Sequence, residues 1–438
     1  MRGARWRIAA LALGAASATL IALAPGSVNA QSANLETAYV VLGADSAIVR
    51  AVLSGATECP MIDHGGAAER MSVRARPDDA FPVLVCETPI PTGTASAAIE
   101  GRVLPLPKPA IATIATFGDT GCRLKAGGDS KKSSRHHDYP AASKFQDCNS
   151  PSKWPFARLS ATAAAKRPDL VIHVGDYLYR ESPCPAGDKG CKGSPHGDDW
   201  QTWLADFFRP AAPLLAAAPW IMVRGNHESC TRAGPGYFRF LHPEPARDHA
   251  PPTCTDLLAP YTVDMGGKSF LVIDSSNAED SCANDACNSA PYAAQFASLT
   301  PKPGTWLLSH RPIWAIGRKF KLNQTLEQAL ASSDGRLPQG VELVLSGHLH
   351  IFELLSFADR RAPQLIVGTG GTLLDPKIDR RLEGVTVGGA KISYGLSERR
   401  FGFLMITPKR KGATATFVND RGRARFECKL TPSTARCH

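Results

Sequence analysis

The chain carries no heptad array, no repeat of 20–50 residues and no long low-complexity tract, so coiled coils and solenoids are excluded. It also lacks a paired C-x2-C with the partner spacing of a zinc module. No Gly-x-Ser-x-Gly elbow and no phosphate loop occur, which removes support for serine hydrolases and nucleotide switches. His227-Glu228 is followed by Thr231 where a zinc peptidase would place its second histidine. The basic residues form no stripe with interleaved aromatics, and nucleic acid is not an expected partner. Short clusters at Lys131-Lys132, Arg399-Arg400 and Lys409–Lys411 read as solvated surface.

Only one long apolar run is present. Arg2, Arg5 and Arg7 precede the chargeless stretch Ile8–Ala24, which Pro25 and Gly26 break before Val28-Asn29-Ala30. This is the layout of a secretory signal with cleavage after Ala30; the competing reading is an uncleaved anchor, since the run sits at the short edge of a spanning helix. The expectation is an exported protein, periplasmic or extracellular, free of the membrane once the leader 1–30 is removed. The formal charge of +10 includes the three leader arginines, and a mildly positive field remains to gather anionic substrates.

All twelve cysteines lie beyond the leader. An even number suits an oxidising compartment. Taken as sequence neighbours they predict the pairs Cys59–Cys86, Cys122–Cys148, Cys184–Cys191, Cys230–Cys254, Cys282–Cys287 and Cys428–Cys437, although order along the chain does not prove connectivity.

With 438 residues, 43% hydrophobic and 21% charged, the chain exceeds one ordinary core, and a large domain plus a smaller one is the natural division. Residues 31–106 hold short strand-like segments at Thr37–Leu42, Ala47–Leu53, Met71–Ala75, Pro82–Cys86 and Ala97–Val103, read as a small β-rich domain. Pro105, Pro107 and Pro109 form a stiff connector. Residues 107–438 then show buried strands that each run into a polar signature: Ile111–Phe117 into Asp119, Asp169–Val174 into Asp176, Trp220–Val223 into Asn226-His227, Ser269–Ile273 into Asp274, Thr305–Leu308 into His310, and Val341–Leu345 into His348-Leu349-His350. Ala-rich helical segments at Phe156–Lys166 and Trp200–Leu215 alternate with them. The fold class is α/β, a mixed α/β/β/α sandwich, with ligands expected beyond the carboxyl ends of the strands.

Buried carboxylates at strand ends are costly unless paired or bound to metal. Asp, His and Asn together suit iron, zinc or manganese. Each signature alone is as readily a turn as a site; their order and joint presence point to a metal centre. Asp119-Thr120-Gly121, Gly175-Asp176-Tyr177-Leu178-Tyr179, Gly225-Asn226-His227-Glu228, Leu307-Leu308-Ser309-His310 and Gly347-His348-Leu349-His350 together resemble the blocks of the calcineurin-like metallophosphoesterases, and specifically the purple acid phosphatase branch, over about residues 106–375. The first block lacks the histidine of the general family, and Leu307 stands where the fourth block has valine.

The resemblance implies a dinuclear site: Asp119, Tyr179 and His350 on a ferric ion, Asp176 bridging, and Asn226, His310 and His348 on a second ion, Fe, Zn or Mn. It further implies a four-layer fold, acid phosphatase activity on small phosphate monoesters by metal-activated water, and His227 as general acid to the leaving alkoxide. A phosphodiesterase with a divalent centre, acting on nucleotide or glycerophosphodiester substrates, is the alternative within hydrolases. An exported metal-binding protein without turnover is the alternative outside them.

Neighbouring residues have blander readings. His173 reads as a core histidine, Arg224 as a strand-end support, and Asp274 as a turn or supporting group. Arg311 is even between support and phosphate attraction. Glu228 reads as orienting His227 or capping its turn. Tyr177 competes with Tyr179 for the metal, with spacing in favour of Tyr179. His136, His137 and His196 lie in polar loops from which one could reach substrate. The sequence does not indicate an oligomeric state.

Overall fold

The computed structural model describes residues 34–127, 143–282, 286–317 and 323–438. The expected leader with its cleavage site, Lys131-Lys132, His136 and His137 lie outside these residues. Ala33–His438 forms one compact unit. Among the described residues no helix is long and apolar enough to cross a membrane.

Two sheets make the centre. The larger has eleven strands, and its middle is the parallel set Ile114–Phe117, Leu170–His173 and Trp220–Met222. The smaller has eight, centred on the parallel set Lys268–Val272, Thr305–Leu308, Val341–Ser346 and Gln364–Val367. The period of two along each strand explains the layering. Leu170, Ile172, Ile221 and Val223 face inward, where they share one core with Trp306, Leu308, Leu343 and Leu345 of the other sheet. Val171, Trp220 and Met222 face outward, onto Phe156, Leu159 and Phe207 of the helical layer. Leu307 and Val344 face the opposite way, onto Tyr292, Phe296 and Leu326. The result is the expected α/β/β/α sandwich.

The helices form where apolar residues recur at helical spacing. Phe156–Ala165 buries Phe156, Leu159 and Ala163 on one face. The helix expected at Trp200–Leu215 is present and capped by the Asp199 carboxylate, which accepts from the Thr202 amide at 2.8 Å. It is not uniform, since Leu204–Phe208 is a π turn between two α segments.

Residues 34–103 are β-rich as expected, but the boundary at 106 does not mark off a separate sheet. Asn34–Leu42, Ala47–Ser54, Val83–Ile90 and Ser72–Ala75 continue the large sheet, through a parallel bridge from Val41 to Trp220. The physical reason is two-sided burial. Ala38, Val40 and Leu42 enter the inner core, while Tyr39 and Val41 enter the helical layer. Such a strand requires cover on both faces, which a small free-standing domain does not provide. Only Met61–His64, Ala67–Arg70, Ala97–Ile99 and Arg102–Val103 form a sheet of their own. The six disulfides are the neighbour pairs expected, with no free cysteine, and they fit an exported protein.

Candidate metal centre

The parallel strands of both sheets deliver their carboxyl ends to one rim. Asp119 follows Ile114–Phe117, Asp176 follows Leu170–His173, Asn226 follows Trp220–Met222, His310 follows Thr305–Leu308 and His348 follows Val341–Ser346. Sharp turns aim them. Asp119, Asp176 and His348 hold left-handed φ angles of +58°, +62° and +72°, a conformation that costs L-residues about 1–2 kcal/mol each. Close approach explains the glycine before Asn226: a Cβ on Gly225 would lie 2.1 Å from Asp176 Oδ1.

Two groups of donors result. In the first, the Tyr179 hydroxyl oxygen lies 2.8 Å from Asp119 Oδ1, 2.7 Å from Asp176 Oδ2 and 2.9 Å from His350 Nε2. In the second, Asn226 Oδ1 lies 2.9 Å from both His310 Nε2 and His348 Nδ1. Asp176 touches both groups, for its other oxygen is 3.3 Å from His310 Nε2. The candidate ligand atoms of Asp176, His310 and His348 lie within 4.8 Å of one another. Tyr177 points elsewhere, its hydroxyl 3.0 Å from the Val223 carbonyl.

Each imidazole is fixed by its second nitrogen. His310 Nδ1 meets the Val174 carbonyl at 2.8 Å, His350 Nδ1 meets the Leu373 carbonyl at 2.9 Å, and His348 Nε2 meets the Asp280 carboxylate at 2.7 Å. A donated N–H at those positions leaves the opposite lone pair aimed at the rim.

The rim suits cations. Tyr179 has one hydroxyl proton for three acceptors, and burial, followed by Asp119 and Asp176, pushes its pKa well above the phenol range. Burial opposes charge on His310, yet Asp176 prevails and raises that imidazole to about 9. Burial opposes the Asp176 carboxylate as well, but His310 and His227 hold its pKa well below the usual range. Carboxylate, imidazole, amide and phenol oxygen and nitrogen are the donor set of iron, zinc and manganese.

His227 packs on the Tyr179 ring at 3.8 Å between centroids, its backbone amide donating to Asp176 at 2.8 Å. Its Nδ1 is 3.1 Å from the Leu178 carbonyl and 3.0 Å from Glu181, leaving Nε2 toward the rim. Burial, then Arg232, pushes its pKa down to about 3, against the pull of Asp176 and Glu181.

The supporting residues resolve one by one. Glu228 does not touch His227. Its carboxylate accepts from the amides of Gly225, Asp176, Tyr177 and Leu178 at 2.8–3.1 Å, binding two ligand turns together; burial and Asp176 raise it to about 8. His173 is a core residue, stacked on Tyr177 and 3.0 Å from the Thr120 hydroxyl. Arg224 is structural, reaching Asp274 at 3.0 Å and the Glu228 and Thr255 carbonyls. Arg311 meets Asp280 at 2.7 Å.

Three further residues at the rim carry no signal in the sequence. Asp280 anchors His348. Asp206, in the π turn, accepts from the amides of Tyr179 at 2.7 Å and Cys122 at 2.8 Å and so holds the tyrosine turn. Arg123 lies over the Tyr179 ring at 4.7 Å. None stands at a strand end or in a spaced motif, so no sequence signal marked them.

A family model of calcineurin-like phosphoesterases matches residues 112–352, more than half of the chain. No curated protein matches it in sequence. Among solved structures, a purple acid phosphatase from yellow lupin (Lupinus luteus) seeds is similar with a TM-score of 0.56 at 11% identity, over 90% of this chain and 74% of that one. PhoD is similar with a TM-score of 0.52 at 13% identity, over 92% of this chain and 91% of that one. At these identities the similarity is one of fold.

Proposed function

The chain belongs to the calcineurin-like phosphoesterase family, and from that premise we propose that it is an exported acid phosphatase with a dinuclear metal centre. The observation that carries the reading is the sharing of Asp176 between two donor groups, one built on Tyr179 and the other on Asn226. Asp119, Tyr179 and His350 would hold one ion, Asn226, His310 and His348 the other, and Asp176 both. A phenol oxygen facing two carboxylates favours a trivalent ion, because only a strong Lewis acid displaces a proton that burial and two anions retain; iron(III) beside iron, zinc or manganese is the assignment. Bound ions at such a pair supply Lewis acidity, drawing charge from the phosphoryl group and lowering the pKa of water.

The chain's own residues do the rest. Asp206 and Glu228 keep the ligand turns in place, and Asp280 orients His348. His227 directs Nε2 toward the rim from beside Tyr179 and is the group to protonate the leaving alkoxide. A proton at Nε2 requires negative charge nearby, and an arriving phosphate ester brings it, opposing the effects of burial and Arg232.

The test is metal analysis with a visible spectrum of the purified, oxidised protein, followed by assay on a phosphate monoester. Two ions per chain, one of them iron, with a broad visible band that Tyr179→Phe abolishes, is the expected result. Two ions without colour would move the assignment to a divalent diesterase. Metal binding with no turnover of any phosphoester would leave a binding protein.

A further inference from the structure

We propose that Arg123 is the phosphate-recognition residue of this site, and that it selects monoester dianions over diesters. The inference rests on the phosphatase reading and concerns a residue outside the set of metal ligands.

The starting observation is an unsatisfied donor. Arg123 is half-buried, and its Nε, shielded from solvent, has no hydrogen-bond partner among the described residues. A buried donor left without an acceptor is costly, and one that stands at the rim beside His227 is placed to take an acceptor from a bound ligand. Among the described residues no carboxylate forms an ion pair with Arg123. Its one side-chain hydrogen-bond neighbour there is His227, whose Nε2 lies 3.4 Å from Arg123 Nη2, and Asp375 is a carboxylate within reach of its charge. The guanidinium also sits over the Tyr179 ring, 4.7 Å from its centre. The fork is thus placed at the rim, beside the one imidazole nitrogen directed there that the metal-ligand set does not use.

Arg123 is also held in place. Its amide donates to Gln146 Oε1 at 3.0 Å, and Gln146 in turn donates to the carbonyls of Lys153 and Gly371. Cys122 before it is tied to Cys148, and Leu124 after it pairs with Phe145. A guanidinium on so constrained a backbone is organised before any ligand arrives, which limits the entropy lost on binding.

The ligand that fits is a tetrahedral oxyanion. Arginine presents parallel N–H donors that match two oxygens of one phosphoryl group. A monoester dianion has a third terminal oxygen and a second negative charge, whereas a diester has two terminal oxygens and a single charge. A forked cation flanking His227 favours the former.

The experiment uses the metal-loaded enzyme and its Arg123→Gln and Arg123→Lys variants, with 4-nitrophenyl phosphate, bis(4-nitrophenyl) phosphate and inorganic phosphate as probes. For Arg123→Gln, kcat/KM on the monoester and affinity for inorganic phosphate should both fall by about 10- to 100-fold, the size of one charged hydrogen-bonded contact. The diester should lose much less, with metal content and melting temperature unchanged. Arg123→Lys keeps the charge and loses the fork, so the same losses appear in reduced form; it gives the answer if the glutamine variant folds poorly. Equal losses on both esters, or unchanged phosphate affinity, would overturn the proposal. A wild-type enzyme inert on both esters that still binds phosphate through Arg123 would overturn the phosphatase reading and leave the subsite standing.

Discussion

Two buried clusters of charge lie in this molecule, one beneath the N-terminal strands and one at the rim, and they are finished to different degrees. Beneath the strands, Arg50 and Arg74 are fully buried and share Glu87 at 3.3 and 2.8 Å. Their remaining donors reach the carbonyls of Phe238, Arg239, Phe240, His242 and Glu244. The second oxygen of Glu87 accepts from the Ala246 amide at 2.5 Å, and Tyr39 donates to Phe240. Every polar atom of this cluster is matched. At the rim, by contrast, one phenolic proton faces three acceptors, one amide oxygen faces two imidazoles, and Arg123 Nε has no partner among the described residues. Burial is common to both, so burial does not mark a functional site. Convergence of several underpaired groups on one rim does, since single unpaired atoms such as Thr116 Oγ1 and Ser160 Oγ also occur in the core.

The difference predicts opposite consequences of substitution. His227→Ala at the rim should act on turnover, lowering the rate on alkyl monoesters by about 10²- to 10⁴-fold, the usual range for a lost general acid. Activated aryl esters, whose leaving groups need no proton, should lose far less; equal losses on the two would remove the general-acid role. Glu87→Gln in the closed cluster should act on stability instead. It strands two buried guanidinium groups and should cost about 3–5 kcal/mol, read from urea denaturation of the metal-loaded protein. Metal content per folded chain should hold. A fall in metal content at full stability would show that the N-terminal strands tune the rim, to which Gly234–Phe240 connects them.

Much of this contrast is legible in the sequence, for reasons that differ by element. The strand-end candidates are readable because a buried strand is apolar and a metal-binding side chain is not, so each transition stands out at Phe117, Val174, Val223, Leu308 and Leu345. Tyr179 is readable against Tyr177 only by its spacing from Asp176; the structure adds that Tyr177 faces the helical layer. That the N-terminal strands join the large sheet is not readable, because strands such as Asn34–Leu42 look alike in a small sandwich and in the middle of a large sheet. The hairpin Met61–His64 and Ala67–Arg70 left no trace, since the second strand is exposed at all four residues and carries no alternation. Of the two readings of Glu228, orienting His227 or capping its turn, the structure has the cap, through the Gly225 amide, and adds three amides about fifty residues away that no local pattern encodes. Arg123, Asp206 and Asp280 act through contacts that no local pattern encodes.

Asp280 offers the finest distinction between a closed and an open cluster, because it belongs to both kinds at once. Its carboxylate is fully engaged, with Arg311 and His348 each at 2.7 Å and Asn323 at 2.9 Å, and those charges hold its pKa far below the usual range despite burial. Yet His348, which it grips at Nε2, turns Nδ1 toward the unfinished rim. If the grip is what sets that imidazole's tautomer and direction, Asp280→Asn should weaken metal binding at the Asn226–His310–His348 position by about 10- to 100-fold, as loss of a carboxylate behind a ligand histidine does elsewhere. Chelator competition on the metal-loaded protein measures this directly, and the ion held through Tyr179 should stay bound. Loss of both ions together would mean that the two groups of donors do not act as separate positions, and that Asp176 alone decides occupancy of the pair.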